Sequence, residues 1–204
     1  MLQPSLALEN EFWLKGYEFV AGIDEVGRGA WAGPLVVAAV ILPKDFKIPR
    51  GLADSKLLKH QQRVKLARII KEKAVAVSVA EISSRRIDKV KMARATHETF
   101  RRAVKKLIPS PDFCLIDAFY IKQFAKKRQE AVKNGDKICA SISAASIIAK
   151  VHRDLIMRKM HFKYPTYGFG KHKGYGTKLH QEAIKKSGFT NIHRMSYDLN
   201  YLVA

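Results

Sequence analysis

Cysteine is nearly missing: Cys114 and Cys139 are the only two in 204 residues. Set in apolar or small-residue surroundings, they give neither a disulfide framework nor the paired spacing of a zinc site. Buried, reduced thiols in a cytosolic protein are therefore expected. Long hydrophobic runs are missing too, since no stretch approaches the ~20 apolar residues of a membrane span. The opening Met-Leu-Gln-Pro-Ser-Leu-Ala-Leu-Glu-Asn-Glu lacks the basic start and long apolar core of a secretory signal. A membrane role is not expected, and a cytoplasmic location is. Acids are scarce: 18 Asp and Glu stand against 38 Lys and Arg, a formal charge of +20. Such an excess repels itself unless a polyanion offsets it, which makes nucleic acid the natural partner class and leaves any reaction open.

What is present suits one domain over residues 1–204, with 47% apolar residues for a core and no linker, repeat or low-complexity tract. Residues 18–24 and 35–42 are β-branched apolar runs on either side of a Gly-rich loop and predict two strands. Asp54-Ser55 predicts the N-cap of a helix from about Lys56 to Lys71, with Leu57, Val64 and Ile69 on its apolar face. Residues 74–80 alternate like a third strand, 92–107 repeat apolar positions at helical spacing, and 113–117 form another strand. A basic segment over 122–133 leads to the turn Asn134-Gly135-Asp136. A helix is expected from about Ser141 to Met160, its first half small enough to lie close on a sheet. A loop rich in Gly, Tyr, Lys and His (164–176) precedes a last helix over 177–187. This order predicts an α/β protein with a mixed sheet and helices on its faces.

The densest chemistry lies in residues 21–34, Ala-Gly-Ile-Asp-Glu-Val-Gly-Arg-Gly-Ala-Trp-Ala-Gly-Pro. An apolar run ends on Asp24 and Glu25, and Arg28 follows between Gly27 and Gly29. Carboxylates at a strand end suit hard divalent cations, and a Gly-flanked Arg lets backbone and guanidinium approach a phosphodiester. Asp117 ends a later strand, and Asp136 sits in the Gly turn. Buried together, these acids would be costly unless cations lay between them. Two Mg²⁺ would relieve the repulsion, activate a water and stabilise the leaving oxygen of an in-line displacement. Adjacent strand residues face opposite ways, so Asp24 and Glu25 share a site only if Glu25 lies past the end of regular pairing. Each signal alone also fits an ordinary turn; their coincidence with Gly-Arg-Gly points to a metal-dependent nuclease. Two rival readings stay open on residues alone. One is a non-enzymatic basic module that binds structured RNA, the other a DNA-strand nuclease or integrase-type enzyme with the same carboxylate–metal core.

Several ordered segments resemble type 2 ribonuclease H, the bacterial ribonuclease HII branch, nearly end to end. They are Ala21–Gly29 with Ala32-Gly33-Pro34, Asp54-Ser55-Lys56, Ala95-Thr96, Leu115-Ile116-Asp117 and Gly135-Asp136. Further on come Ser143–Val151 with Arg153-Asp154, Tyr164-Pro165 with Tyr167-Gly168-Phe169, His172–Thr177, and His193-Arg194 with Ser196. The resemblance implies a ribonuclease H-like fold: a five-stranded mixed sheet flanked by helices, three strands antiparallel and then two parallel, with a C-terminal helical extension over about 160–204. It implies Mg²⁺- or Mn²⁺-dependent endonucleolytic cleavage of RNA in RNA–DNA hybrids and at single ribonucleotides in duplex DNA, with two ions once substrate is bound. The ends left are 3′-hydroxyl and 5′-phosphate, the role is ribonucleotide removal during replication and repair, and the expected state is a monomer. By the same likeness Asp24, Glu25, Asp117 and Asp136 are the catalytic metal ligands. Gly27-Arg28-Gly29 senses the ribose 2′-hydroxyl and its phosphate, Tyr175 stacks on the neighbouring deoxyribose, and Ser146 and Lys150 contact phosphate. Four positions depart from the family pattern: Ala30-Trp31 for Pro-Leu, Lys91 for Asn, and Ala118 for Gly.

A 2′-hydroxyl both donates and accepts, so a glycine loop can tell RNA from DNA at one nucleotide, and Tyr175 can lie flat on a sugar that lacks it. Ser143, Ser146, Lys150, Arg153 and Asp154 step by three and four along one helix stripe, which from spacing alone is equally a solvated face. Asp154 has two readings: an acid close behind the metal ligands, or the i, i+4 partner that positions Lys150. Asp54-Ser55-Lys56 favours capping over substrate contact, and Lys126-Lys127-Arg128 and Lys185-Lys186 read as solvated faces. His172 and His193 are expected to be loop and structural residues.

Overall fold

The computed structural model describes residues 3–52, 55 and 58–203. Strands β1 (Val20–Val26), β2 (Leu35–Ile41), β3 (Ala76–Ile82), β4 (Phe113–Asp117) and β5 (Gln129–Val132) form one sheet in the order β3-β2-β1-β4-β5. β2 lies antiparallel to β1 and β3, whereas β4 lies parallel to β1 and β5. This is the five-stranded mixed sheet expected.

Helix α1 spans Ala7–Leu14, α2 His60–Lys73, α3 Ser84–Lys105, α4 Gly135–Ile138 and α5 Ala140–Lys163. The short α6 (Phe169–His172) and α7 (Lys178–Ser187) complete the helices among the described residues. α5 crosses one face of the sheet, and its small-residue half packs as closely as expected. A Cβ built on Gly22 of β1 would lie 2.1 Å from the Ser141 carbonyl carbon, so only glycine admits this contact. α2 adds Leu66, Ala67 and Ile70 to the same core as Val36, Ala38 and Val40. On the other face Phe100, Ala103 and Val104 of α3 pack on Ala21, Ile23, Val37 and Ala39. Beyond the sheet, Met157 of α5 meets Tyr167, Phe169, Ile184, Leu199 and Leu202.

Three local expectations are corrected, and one helix is new. The Asp54-Ser55 cap falls partly outside the described residues, since Asp54, Lys56 and Leu57 are not among them, and α2 opens only at His60. Ser55 instead bonds the Ser146 hydroxyl at 3.0 Å, which draws its hydroxyl inward. The basic segment contains β5, which is too short and polar to read as a strand. Pairing to β4 and a buried Gln129, bonded to Ile121 and Phe124 backbone at 2.6–3.1 Å, make it one. α1 went unforeseen; its buried Glu9 accepts the Ser141 N–H at 2.7 Å and so caps the start of α5. The stripe of α5 is not solvated, since Ser143 and Arg153 are fully buried and Ser146 and Asp154 nearly so.

Candidate active site

The parallel register of β1 and β4 runs from Val20↔Phe113 to Ile23↔Ile116. The next residue on each strand is an acid, Asp24 on one and Asp117 on the other, and alternation turns both toward α5. Asp117 Oδ1 accepts the Gly135 N–H at 2.8 Å. One acid thus holds the turn, opened by left-handed Asn134 (φ 55°), that carries the buried Asp136. Asp24 is buried, bonds the Ser146 hydroxyl, and accepts the Glu25 N–H at 2.7 Å.

Glu25 does not lie past all regular pairing. It pairs with Val37 and Val26 pairs with Val36, so the β2 side of the ladder continues while the β4 side has already ended. That one-sided ending opens the sheet where the two carboxylates sit. Burial pushes the Asp24 carboxyl up to about 7 against the Ser146 bond that lowers it, with Asp117 and Asp136 adding repulsion. Burial, Asp24 and Asp117 raise Glu25 to about 8 against the pull of Arg28. Glu25 Oε2 is buried with no hydrogen-bond partner. Among the described residues, no three carboxylate, imidazole or thiol groups stand ready-assembled around one ion position. The acids are near enough to feel one another.

Asp24, Glu25 and Asp117 line a cleft of about 530 Å³ together with Gly27, Arg28, Gly29, Ser55, Arg63, Ser146, Lys150 and Tyr175. Most of the residues singled out from sequence therefore converge. Asp136 is felt at Asp24 without lining the cleft. Asp154 stands behind Lys150, taking its ammonium at 2.6 Å and the Arg63 guanidinium at 3.5 Å. The ion pair with Lys150 is present, as one of its two readings requires. Arg28 projects over the Phe119 ring, 5.0 Å from its centroid.

Two fully buried arginines that sequence reading gave no structural part hold the glycine loop. Arg153 donates to the Pro34 and Ala32 carbonyls at 2.9 and 3.1 Å. Arg194 donates twice to the Gly33 carbonyl and once, at 2.9 Å, to that of Arg28. The Tyr175 loop is laced to the same segment, because the Trp31 and Ala32 N–H groups both donate to the Gly174 carbonyl at 2.8 and 3.2 Å. Trp31 itself covers Gly176, where a Cβ would fall 2.2 Å from the indole. Ser55 and Arg63 were the other omissions. The Asp-Ser-Lys segment signalled Ser55, but nothing in the helical pattern of α2 marks Arg63.

A model of the ribonuclease HII family matches residues 21–200. A ribonuclease HII from Acetivibrio thermocellus is 48% identical over 96% of this chain and 75% of its own length. One from Chloroherpeton thalassium is 45% identical over 97% of this chain and 98% of its own. Among solved structures, the ribonuclease H2 of Pyrococcus horikoshii superposes with a TM-score of 0.74 at 28% identity, covering 90% of this chain and 96% of that one.

Proposed function

Because the chain belongs to the ribonuclease HII family, we propose that this cleft is the active site of an endoribonuclease that cuts the RNA strand of RNA–DNA hybrids and single ribonucleotides in duplex DNA. The observation that carries the reading is the convergence of Asp24, Glu25 and Asp117 at the open end of β1 and β4, with Asp136 close enough to repel Asp24, beside Gly27-Arg28-Gly29.

An all-oxygen donor set with an unpartnered buried Glu25 Oε2 fits a hard divalent cation. Asp24, Glu25, Asp117 and Asp136 would hold Mg²⁺ or Mn²⁺, two ions once substrate is present. Bound there, such ions supply positive charge for the attacking and leaving oxygens of an in-line displacement. The chain's own groups do the selecting. Gly27 and Gly29 bring backbone to the ribose 2′-hydroxyl, and Arg28, kept over Phe119, meets the adjacent phosphate. Tyr175 lies against the next sugar, which must lack the hydroxyl. Lys150, aimed by Asp154, and Ser146 take phosphate oxygens on the α5 side. Products carry 3′-hydroxyl and 5′-phosphate ends. The remaining basic surface adds salt-sensitive attraction to the duplex. The protein is proposed to act as a cytoplasmic monomer in ribonucleotide removal; among the described residues no helix is long and apolar enough to cross a membrane.

The test is to incubate the protein and Mg²⁺ with a labelled DNA duplex containing one ribonucleotide, an RNA–DNA hybrid, and an all-DNA control. Cutting the first two alone is expected. Cutting none would favour an RNA-binding module, and cutting all three a DNA nuclease.

A further inference from the structure

We infer that His193 and His180 are positioning residues whose hydrogen bonds run in one direction and end on the backbone of Tyr175, fixing its ring in the cleft. The inference rests on the proposed role of Tyr175 at the RNA-to-DNA junction.

The direction follows from atoms whose roles cannot change. The Thr190 N–H lies 2.8 Å from His193 Nδ1. An amide N–H only donates, so His193 Nδ1 is the bare nitrogen and Nε2 carries the proton. That Nε2 is 3.0 Å from His180 Nε2, which must then accept. The proton of neutral His180 is left on Nδ1, and Nδ1 is 3.0 Å from the Tyr175 carbonyl, which can only accept. In this tautomer pair the Thr190 N–H and the Tyr175 carbonyl both find partners, and the Thr190 hydroxyl, 2.9 Å from the same His193 Nδ1, donates to it as well. Burial keeps both rings neutral, pulling each down to about 4.

A third ring supports the same loop. His172 Nε2 donates to the Tyr167 carbonyl at 2.6 Å, leaving Nδ1 to accept the Gly174 N–H at 3.1 Å. His172 also stacks on His180 with ring centres 4.5 Å apart. Gly174 is gripped from the other side by the Trp31 and Ala32 N–H groups. The Tyr175 side chain is exposed, and the Arg153 guanidinium lies 5.5 Å from its ring centre. None of the three histidines lines the cleft. Packing alone would be met by phenyl rings. Imidazoles with complementary tautomers, His180 and His193 buried and His172 half-buried, converge on residues 174 and 175 and set the height and tilt of the aromatic ring that lines the cleft.

Imidazole ¹⁵N NMR on the intact protein at neutral pH tests the chain directly. Expected are protons on Nε2 of His193 and Nδ1 of His180; the opposite tautomer on His180 overturns the inference whatever the protein cleaves. The consequence is read with two substitutions. In His180→Asn the amide nitrogen falls near the position of Nδ1, and in His180→Gln near that of Nε2. Both lose the imidazole and its stacking, so thermal unfolding should rank them together. Cleavage of the single-ribonucleotide duplex should not: His180→Asn stays within about threefold of wild type in kcat/KM, while His180→Gln loses about ten- to a hundredfold. In a Tyr175→Ala background, His180→Gln should cost nothing more. Equal losses for Asn and Gln, or a Gln loss that persists without Tyr175, overturn the positioning role. A wild-type protein that leaves the ribonucleotide duplex intact overturns the proposed function instead.

Discussion

Gly27 rests directly on the guanidinium of Arg153: a Cβ at residue 27 would come within 2.1 Å of Arg153 Nε. Arg153 cannot step aside without breaking its bonds to the Pro34 and Ala32 carbonyls, and Gly27 holds a φ of +96° that side chains resist. Gly27→Ala should therefore cost about 1–3 kcal/mol in denaturant unfolding and lower cleavage at least tenfold through a displaced loop. Gly29 has nothing within 4 Å and no positive φ. Gly29→Ala should leave stability unchanged and lower cleavage, because its Cβ would meet only substrate. Equal stability for both variants would contradict this.

Asp154 takes both Lys150 and Arg63, so its charge aims two cations at the cleft. Asp154→Asn should reduce kcat/KM about tenfold and leave the Mg²⁺ concentration dependence of cleavage unmoved. A shift of that dependence to higher Mg²⁺ would place Asp154 among the groups that hold metal.

The acids tie metal binding to pH. Asp24 and Glu25 titrate near 7 and 8 in the fold, against 3.8 and 4.5 as ordinary carboxyls. A folded pKa above the unfolded one stabilises below the unfolded value and is lost as pH rises through the folded one. The metal-free protein should thus lose thermal stability from about pH 4 to about pH 8 and level off above that, and divalent cations should restore it. Cations compete with those protons, so calorimetric Mn²⁺ affinity should rise across the same window, by up to about tenfold per pH unit for each proton displaced. A flat affinity would show that the acids are already charged.

Ala118, immediately after Asp117, adopts a left-handed φ of 66°. Ala118→Gly should stabilise the chain by about 1 kcal/mol in denaturant unfolding, with activity retained. A loss of stability would mean that the alanine methyl packs better than its backbone strain costs.

Much of this was legible in advance where one strong local signal decided the outcome. The apolar runs in β1 and β4 end where their acids begin, β2 is a continuous apolar run, and the small residues of α5 announced a close approach to the sheet. β5 was not legible, because Gln-Glu-Ala-Val becomes a strand only when β4 lies beside it. Ser55 read as a cap because nothing in sequence shows that Ser146, 91 positions later, will take its hydroxyl. Arg153 read equally as part of a solvated face and Arg194 was given no role, since charged side chains seldom lie fully buried. Only the fold reveals the carbonyls of residues 28–34 that surround them. The departures Lys91 and Ala118 are local in a different sense. Both sit at positive φ, where Asn or Gly is the easier residue.

The most direct measurement is anomalous diffraction from crystals of the protein soaked in Mn²⁺. Expected is an ion bound by Asp24 and at least one of Glu25, Asp117 and Asp136, with the peak abolished in Asp24→Asn crystals. A saturated soak in which Mn²⁺ binds elsewhere and leaves these four carboxylates without an ion would contradict the claim that they form one metal centre.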